Sequence, residues 1–140
     1  MKIYDALTSL KSKIDALSEV FQTILSPPNF NDRIHDNIAL PAVFLWESGW
    51  TPSSSNNPDI RTYNISIFII IVTEADFYGE EGYRQLRVVE EAIEAEVLKL
   101  GPEAGIVSQA HMGTAPASFP YNADWIFMRQ LDYKFHGVER

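Results

Sequence analysis

Apolar residues recur along this chain in three rhythms. Between residues 3 and 24 they fall at Ile3, Leu7, Leu10, Ile14, Leu17, Phe21 and Ile24, four and three apart in turn. That is the seam of an amphipathic helix. It predicts a helix over 3–25, ended by Ser26-Pro27-Pro28, because proline disfavours the helical conformation before it and cannot extend the ladder. The flanking positions lack the paired opposite charges of a coiled coil, so the seam belongs on a sheet. Pro41 to Glu47 is a strand signal begun by proline, where proline is tolerated. From Tyr63 the rhythm is two: Tyr63, Ile65 and Ile67 alternate with Asn64 and Ser66, and Phe68 to Val72 is apolar at every position. This reads as a strand half-covered at its start and sandwiched at its end. Leu86, Val89, Ile93, Val97 and Leu100 return to helical spacing and predict a helix over 79–100, stopped by Gly101-Pro102. Gly105 to Met112 is a short strand. Trp125, Phe127, Leu131, Tyr133 and Phe135 share one face of a last strand, with Arg129 the interruption, and His136 to Arg140 reads as a tail.

Two stretches between these elements read as loops. Ser48 to Asp59 holds a glycine, two prolines, four serines and two asparagines, and predicts a flexible loop over 48–59. Gly113 to Tyr121 is small, polar and proline-bearing. The order predicts a single α+β domain over 1–140, with a four-stranded mainly antiparallel sheet and two helices packed on one face. The strand order is not fixed by these patterns. Phe68, Ile70 and Val72 give the central strand a second apolar face, and Met128 adds to it on the last strand. Two helices cover one face, so the other calls for a partner, of which another subunit is the simplest. A long loop begun by tryptophan points the same way. The candidate interface residues are therefore Trp50, Ser53, Ser54, Ser55, Phe68, Ile70, Val72 and Met128.

Composition sharpens this picture. The 140 residues are 46% hydrophobic, enough for a core without staples. There is no cysteine, which removes disulfides, thiolate metal sites and cysteine nucleophiles. The net charge is −8, with −2 over 1–70 and −6 over 71–140. Such a surface does not bind nucleic acid through phosphates. The N-terminal residues carry no signal-peptide pattern, and the run from Ile67 to Val72 is too short to cross a membrane, so an intracellular chain without a membrane partner is expected.

No catalytic motif emerges, and no catalytic, metal-binding or cofactor-binding residue is assigned. His35 lies between Asp32 and Asp36, but nothing imposes convergence on them. Gly79 and Gly82 flank Glu80 and Glu81, which would repel a phosphate, and no P-loop lysine follows. Glu90 and Glu94 lie one helical turn apart and read as a solvated acidic face that also carries Arg84, Arg87 and Glu91.

The amphipathic segment 3–25, the strand Leu40-Pro41-Ala42-Val43-Phe44, the apolar strand begun at Arg61, the helix to Leu100 and the closing aromatic strand from Trp125 to Phe135 come in an order that resembles the tail terminator, or tail completion, proteins of tailed bacteriophages. The resemblance runs through nearly the whole chain and is one of order and texture. It implies a structural virion protein, not an enzyme: a homo-oligomeric ring, usually a hexamer, that caps the tail tube, stops its polymerisation and offers a surface to the head connector or neck protein. It implies as partners the chain itself, the tail tube protein and the neck protein, with DNA passing through unbound, and a place at the tail–neck junction of the virion after assembly in the host cytoplasm. The alternatives are a phage neck or head-completion protein and a small-ligand-binding α+β domain.

Overall fold

A computed structural model describes residues 2–28, 41–52, 56–74, 80–103, 111–113, 117–121 and 124–139. The elements are α1 (Ile3–Asp15), β1 (Gln22–Ile24), β2 (Ala42–Pro52), β3 (Ile60–Glu74), α2 (Glu80–Glu103), β4 (His111–Gly113), β5 (Ala117–Tyr121) and β6 (Asp124–Glu139). The sheet runs β1-β2-β3-β6-β4, with β5 also on β6. Among the described strands every pairing is antiparallel except β1 on β2, and an isolated parallel bridge joins Lys2 to Glu139. Since β3 occupies one edge of β6, β4 and β5 share the other and form an interrupted edge strand. The chain is thus α+β, with two helices against a mixed, mostly antiparallel sheet.

Both helices lie on one face because both send apolar stripes into the same core. Ala6, Leu10 and Ile14 of α1 and Leu86, Val89, Ile93, Val97 and Leu100 of α2 are buried with Tyr63, Ile65, Ile67, Ile69 and Ile71 of β3. The odd-numbered residues of β3 therefore face the helices, as period-two alternation requires. Leu131, Tyr133, Phe135 and Val138 of β6 complete this layer. Ala42, Phe44 and Ile70 form a second buried cluster, with Ile24, Phe68 and Met128 packed against it. These strand positions alternate with those of the first cluster and so occupy the opposite face.

Several boundaries differ from the sequence pattern. The helix predicted over 3–25 ends at Asp15, capped by the Ala16 N–H donating to the Ser12 carbonyl at 3.2 Å. Leu17 and Val20 still pack on the core, but through turns, and Gln22-Thr23-Ile24 becomes a strand beside Ala42-Val43-Phe44. Three- and four-residue spacing does not separate a continued helix from a turn that returns to the same core, and the edge of β2 offered Thr23 and Ile24 a ladder. The loop predicted over 48–59 is shorter: Ser48 to Pro52 continue β2. A bulge between Glu47 and Gly49 absorbs the break in alternation. Helix α2 runs past Leu100 through Gly101 and Pro102 to Glu103. Glycine has no Cβ to clash with the following proline ring, so the usual restriction before proline is relaxed. Part of the Gly113–Tyr121 loop is β5, in which Pro120 sits on an edge strand, where its missing N–H is tolerated. The expected tail at 136–139 is the end of β6. Gly137 takes φ 86° in a bulge where Thr62 pairs with His136 and Arg61 with Val138, which returns Val138 to the core at 0% exposure.

Candidate functional site

The face away from the helices changes character along its length. Beside the buried cluster of Ala42, Phe44 and Ile70 it turns polar and opens to solvent. A shallow groove of about 430 Å³ crosses it, lined by Trp46, Ser48, Asn64, Phe68, Gln130, Asp132 and Lys134 among others. Strand pairing brings these together: Trp46 lies opposite Ser66, and Ser66 opposite Asp132. Asp132 Oδ1 accepts hydrogen bonds from Ser66 Oγ at 2.9 Å and Gln130 Nε2 at 3.0 Å. Farther along, Thr62 Oγ1 and His136 Nδ1 lie 2.6 Å apart. Trp46 is 38% exposed over this floor.

A second feature is the hairpin arm formed by the ends of β2 and β3. Trp50 pairs with Tyr63 and so projects on the helix side of the sheet. It is 45% exposed, and the Arg61 guanidinium stacks on its ring, 3.5 Å from the centroid. A cation held over an indole is an attractive contact that also orients both groups. The turn into β3 is shaped by Asn57, whose side-chain oxygen accepts the Asp59 N–H at 3.0 Å and whose carbonyl accepts the Ile60 N–H at 3.2 Å.

The third feature lies between α2 and β6. Glu90 is not on a solvated face: it is 2% exposed. Its Oε2 stands 2.9 Å from Arg87 Nη1 on the same helix and 3.3 Å from Arg129 Nε on β6. Arg129, which breaks the aromatic stripe of the last strand, thus enters the helix layer to neutralise a buried carboxylate. Burial, and then the negative charges of Glu94 and Glu90, push the Tyr133 hydroxyl above its ordinary pKa. This centre joins helix to sheet.

No protein-family model matches the chain, and no curated protein matches it. The site is therefore judged on its own residues. Among those expected to form an interface, Phe68 and Met128 are partly buried beside the second cluster, and Trp50 is exposed on the arm. Ile70 is 1% exposed, so it is consumed within the chain and offers nothing to a partner. Val72 lies in β3 opposite Ile126. Ser53, Ser54 and Ser55, and the group His35, Asp32 and Asp36, lie outside the described residues. From the sequence Trp46 reads as a core anchor, yet it is 38% exposed, and nothing in the pattern singles out Asp132 or Arg61 as site residues. The signal for the first two was the alternation itself, which places both on the face opposite Tyr63 and Leu131. The Trp50–Arg61 contact required the bulge at Ser48, which no periodicity announces. No described helix is long and apolar enough to cross a membrane.

Proposed function

We propose that this chain is a phage tail terminator: a non-enzymatic subunit that assembles with copies of itself into a ring, caps the tail tube and presents a joining surface to the neck. The observation that carries this reading is the sheet face away from the helices. It leaves Trp46 38% exposed, with the partly buried Phe68 lining the same groove and the partly buried Met128 farther along the face beside Ile70. Aromatic and methionine side chains beside a polar rim are the composition of a protein-binding surface. The element order that resembles the family supports it, as does the exposed hairpin arm. The charge of −8 suits a particle through which DNA passes without adhering.

Light scattering on the purified protein, with negative-stain imaging of the same fraction, tests the ring; closed particles with a central hole are expected. Added to polymerising tail tube protein, the chain stops elongation at a defined length. Binding to portal complexes and not to isolated tubes would move the assignment to a neck protein. A chain that stays monomeric both in solution and with tubes would overturn the reading.

A further inference from the structure

Two exposed surfaces on different elements have complementary chemistry. Helix α2 buries one stripe in the core, yet its outer side is not uniformly polar. Val88 is 47% and Leu98 65% exposed, and Ala95 is exposed between them. Val88, Glu91, Ala95 and Leu98 follow one another at three- and four-residue steps and form a single outward stripe. It is an apolar strip with a carboxylate in the middle. On the arm, Trp50 offers a broad apolar ring with the Arg61 guanidinium stacked on it.

The stripe does not pair well with its own copy. In a parallel, in-register pairing of two α2 helices Glu91 meets the second copy's Glu91, and in an antiparallel pairing centred on the stripe it faces Ala95, so neither gives the carboxylate a further counter-charge beyond Arg87 on its own helix, 3.2 Å away. The arm supplies one: the indole covers the aliphatic strip, and the Arg61 guanidinium joins Arg87 at the Glu91 carboxylate in a charge-assisted pair. Tryptophan and arginine are also the residue types that dominate interface energies.

We infer that the Trp50–Arg61 arm of one copy docks on the Val88–Leu98 stripe of α2 of the next. The occupant of each surface is a second copy of this chain. A contact between two different surfaces is heterologous, so it repeats around a ring or along a filament and never stops at a pair. The inference rests on the tail terminator reading and specifies the contact by which copies would join.

Complementation in solution tests it. Trp50→Ala and Leu98→Asp, each folded by circular dichroism, are each expected to weaken self-association at least about tenfold. Mixed together, they still share one intact pair of surfaces, so a 1:1 dimer and nothing larger is expected. Arg61→Glu and Glu91→Arg are each expected to lose association, and the double exchange to regain it. Monomeric wild type at high concentration, variants that assemble like wild type, a mixture that stays monomeric, or an exchange without rescue would each overturn the contact. Tube capping by the same wild-type preparation is scored separately. Capping that ignores Trp50 and Leu98 overturns this contact and leaves the terminator reading standing; absence of capping and of any self-association removes the reading itself.

Discussion

At the scale of single residues, Glu90 is the most consequential side chain in the described structure. A carboxylate at 2% exposure is tolerated because two guanidinium groups reach it. Glu90→Ala removes the buried carboxylate that Arg87 and Arg129 share, and a loss of about 3 kcal/mol is expected in urea denaturation. Replacing the pair together, Glu90→Leu with Arg129→Met, is expected to recover most of that loss, because the desolvation of both charges is removed with them. The sequence placed Glu90 on the solvated side because it follows Val89 by one position, at the margin of the core arc. Arg129 was visible as an interruption, but that the two meet depends on α2 crossing β6, which neither local pattern contains. Tyr133 belongs to the same centre. Below about pH 10 its hydroxyl is neutral in folded and unfolded chains alike. Above that, the unfolded chain releases the proton first, so the folded chain holds more protons and stability falls as pH rises toward the raised folded-state value. Denaturation of wild type and Tyr133→Phe compared on either side of about pH 10 should show the wild type losing ground to the variant as pH rises. Gly137, at φ 86°, is the third such residue. Gly137→Ala is expected to cost about 1–2 kcal/mol and lower Tm, since an L side chain is strained in the left-handed region.

At the scale of elements, the helices and strands follow from periodicity to the extent that one face is buried. The stripe of α2 is fully legible: Leu86, Val89, Ile93, Val97 and Leu100 are all at 3% exposure or less. So is the alternation of β3, because a strand between two neighbours has its register fixed by burial. The end of α1 is not legible, since Leu17 and Val20 keep their core contacts whether the backbone is helix or turn. Neighbouring positions on α2 give a direct check. Val97 is 0% and Leu98 65% exposed. Val97→Asp is expected to unfold the domain by burying an unpaired charge, while Leu98→Asp changes stability by no more than about 0.5 kcal/mol. Equal effects in thermal denaturation would contradict the assigned face of the helix.

At the scale of the whole molecule, charge and shape set what the chain meets. A net charge of −8 opposes the approach of a polyanionic duplex. Fluorescence anisotropy with labelled duplex DNA at low salt, where any electrostatic affinity is strongest, is expected to show no binding. The layers divide the work: one face of the sheet is closed by helices, while the other passes from the buried Phe44–Ile70 cluster to the open groove beside Trp46. The expectation of an uncovered second face does not hold at Ile70, which is 1% exposed. Apolarity along β3 shows that a strand is covered on both sides, but not whether the cover comes from the same chain, and at Ile70 it does.

The position of β3 in the sheet also bears on how the chain comes off the ribosome. One edge of β3 pairs with β2, which precedes it, and the other with β6, which begins only at Asp124. Until β6 emerges, the run from Ile67 to Ile71 has an open hydrogen-bonding edge, and α2 can shield its face but not that edge. An apolar, β-branched segment waiting in this state is a template for pairing between nascent chains. Yield should therefore depend on the rate of synthesis through α2 and the connection that follows it: slow codons there lengthen the exposure, and the product is expected to shift from soluble protein to inclusion bodies without any change in the native structure.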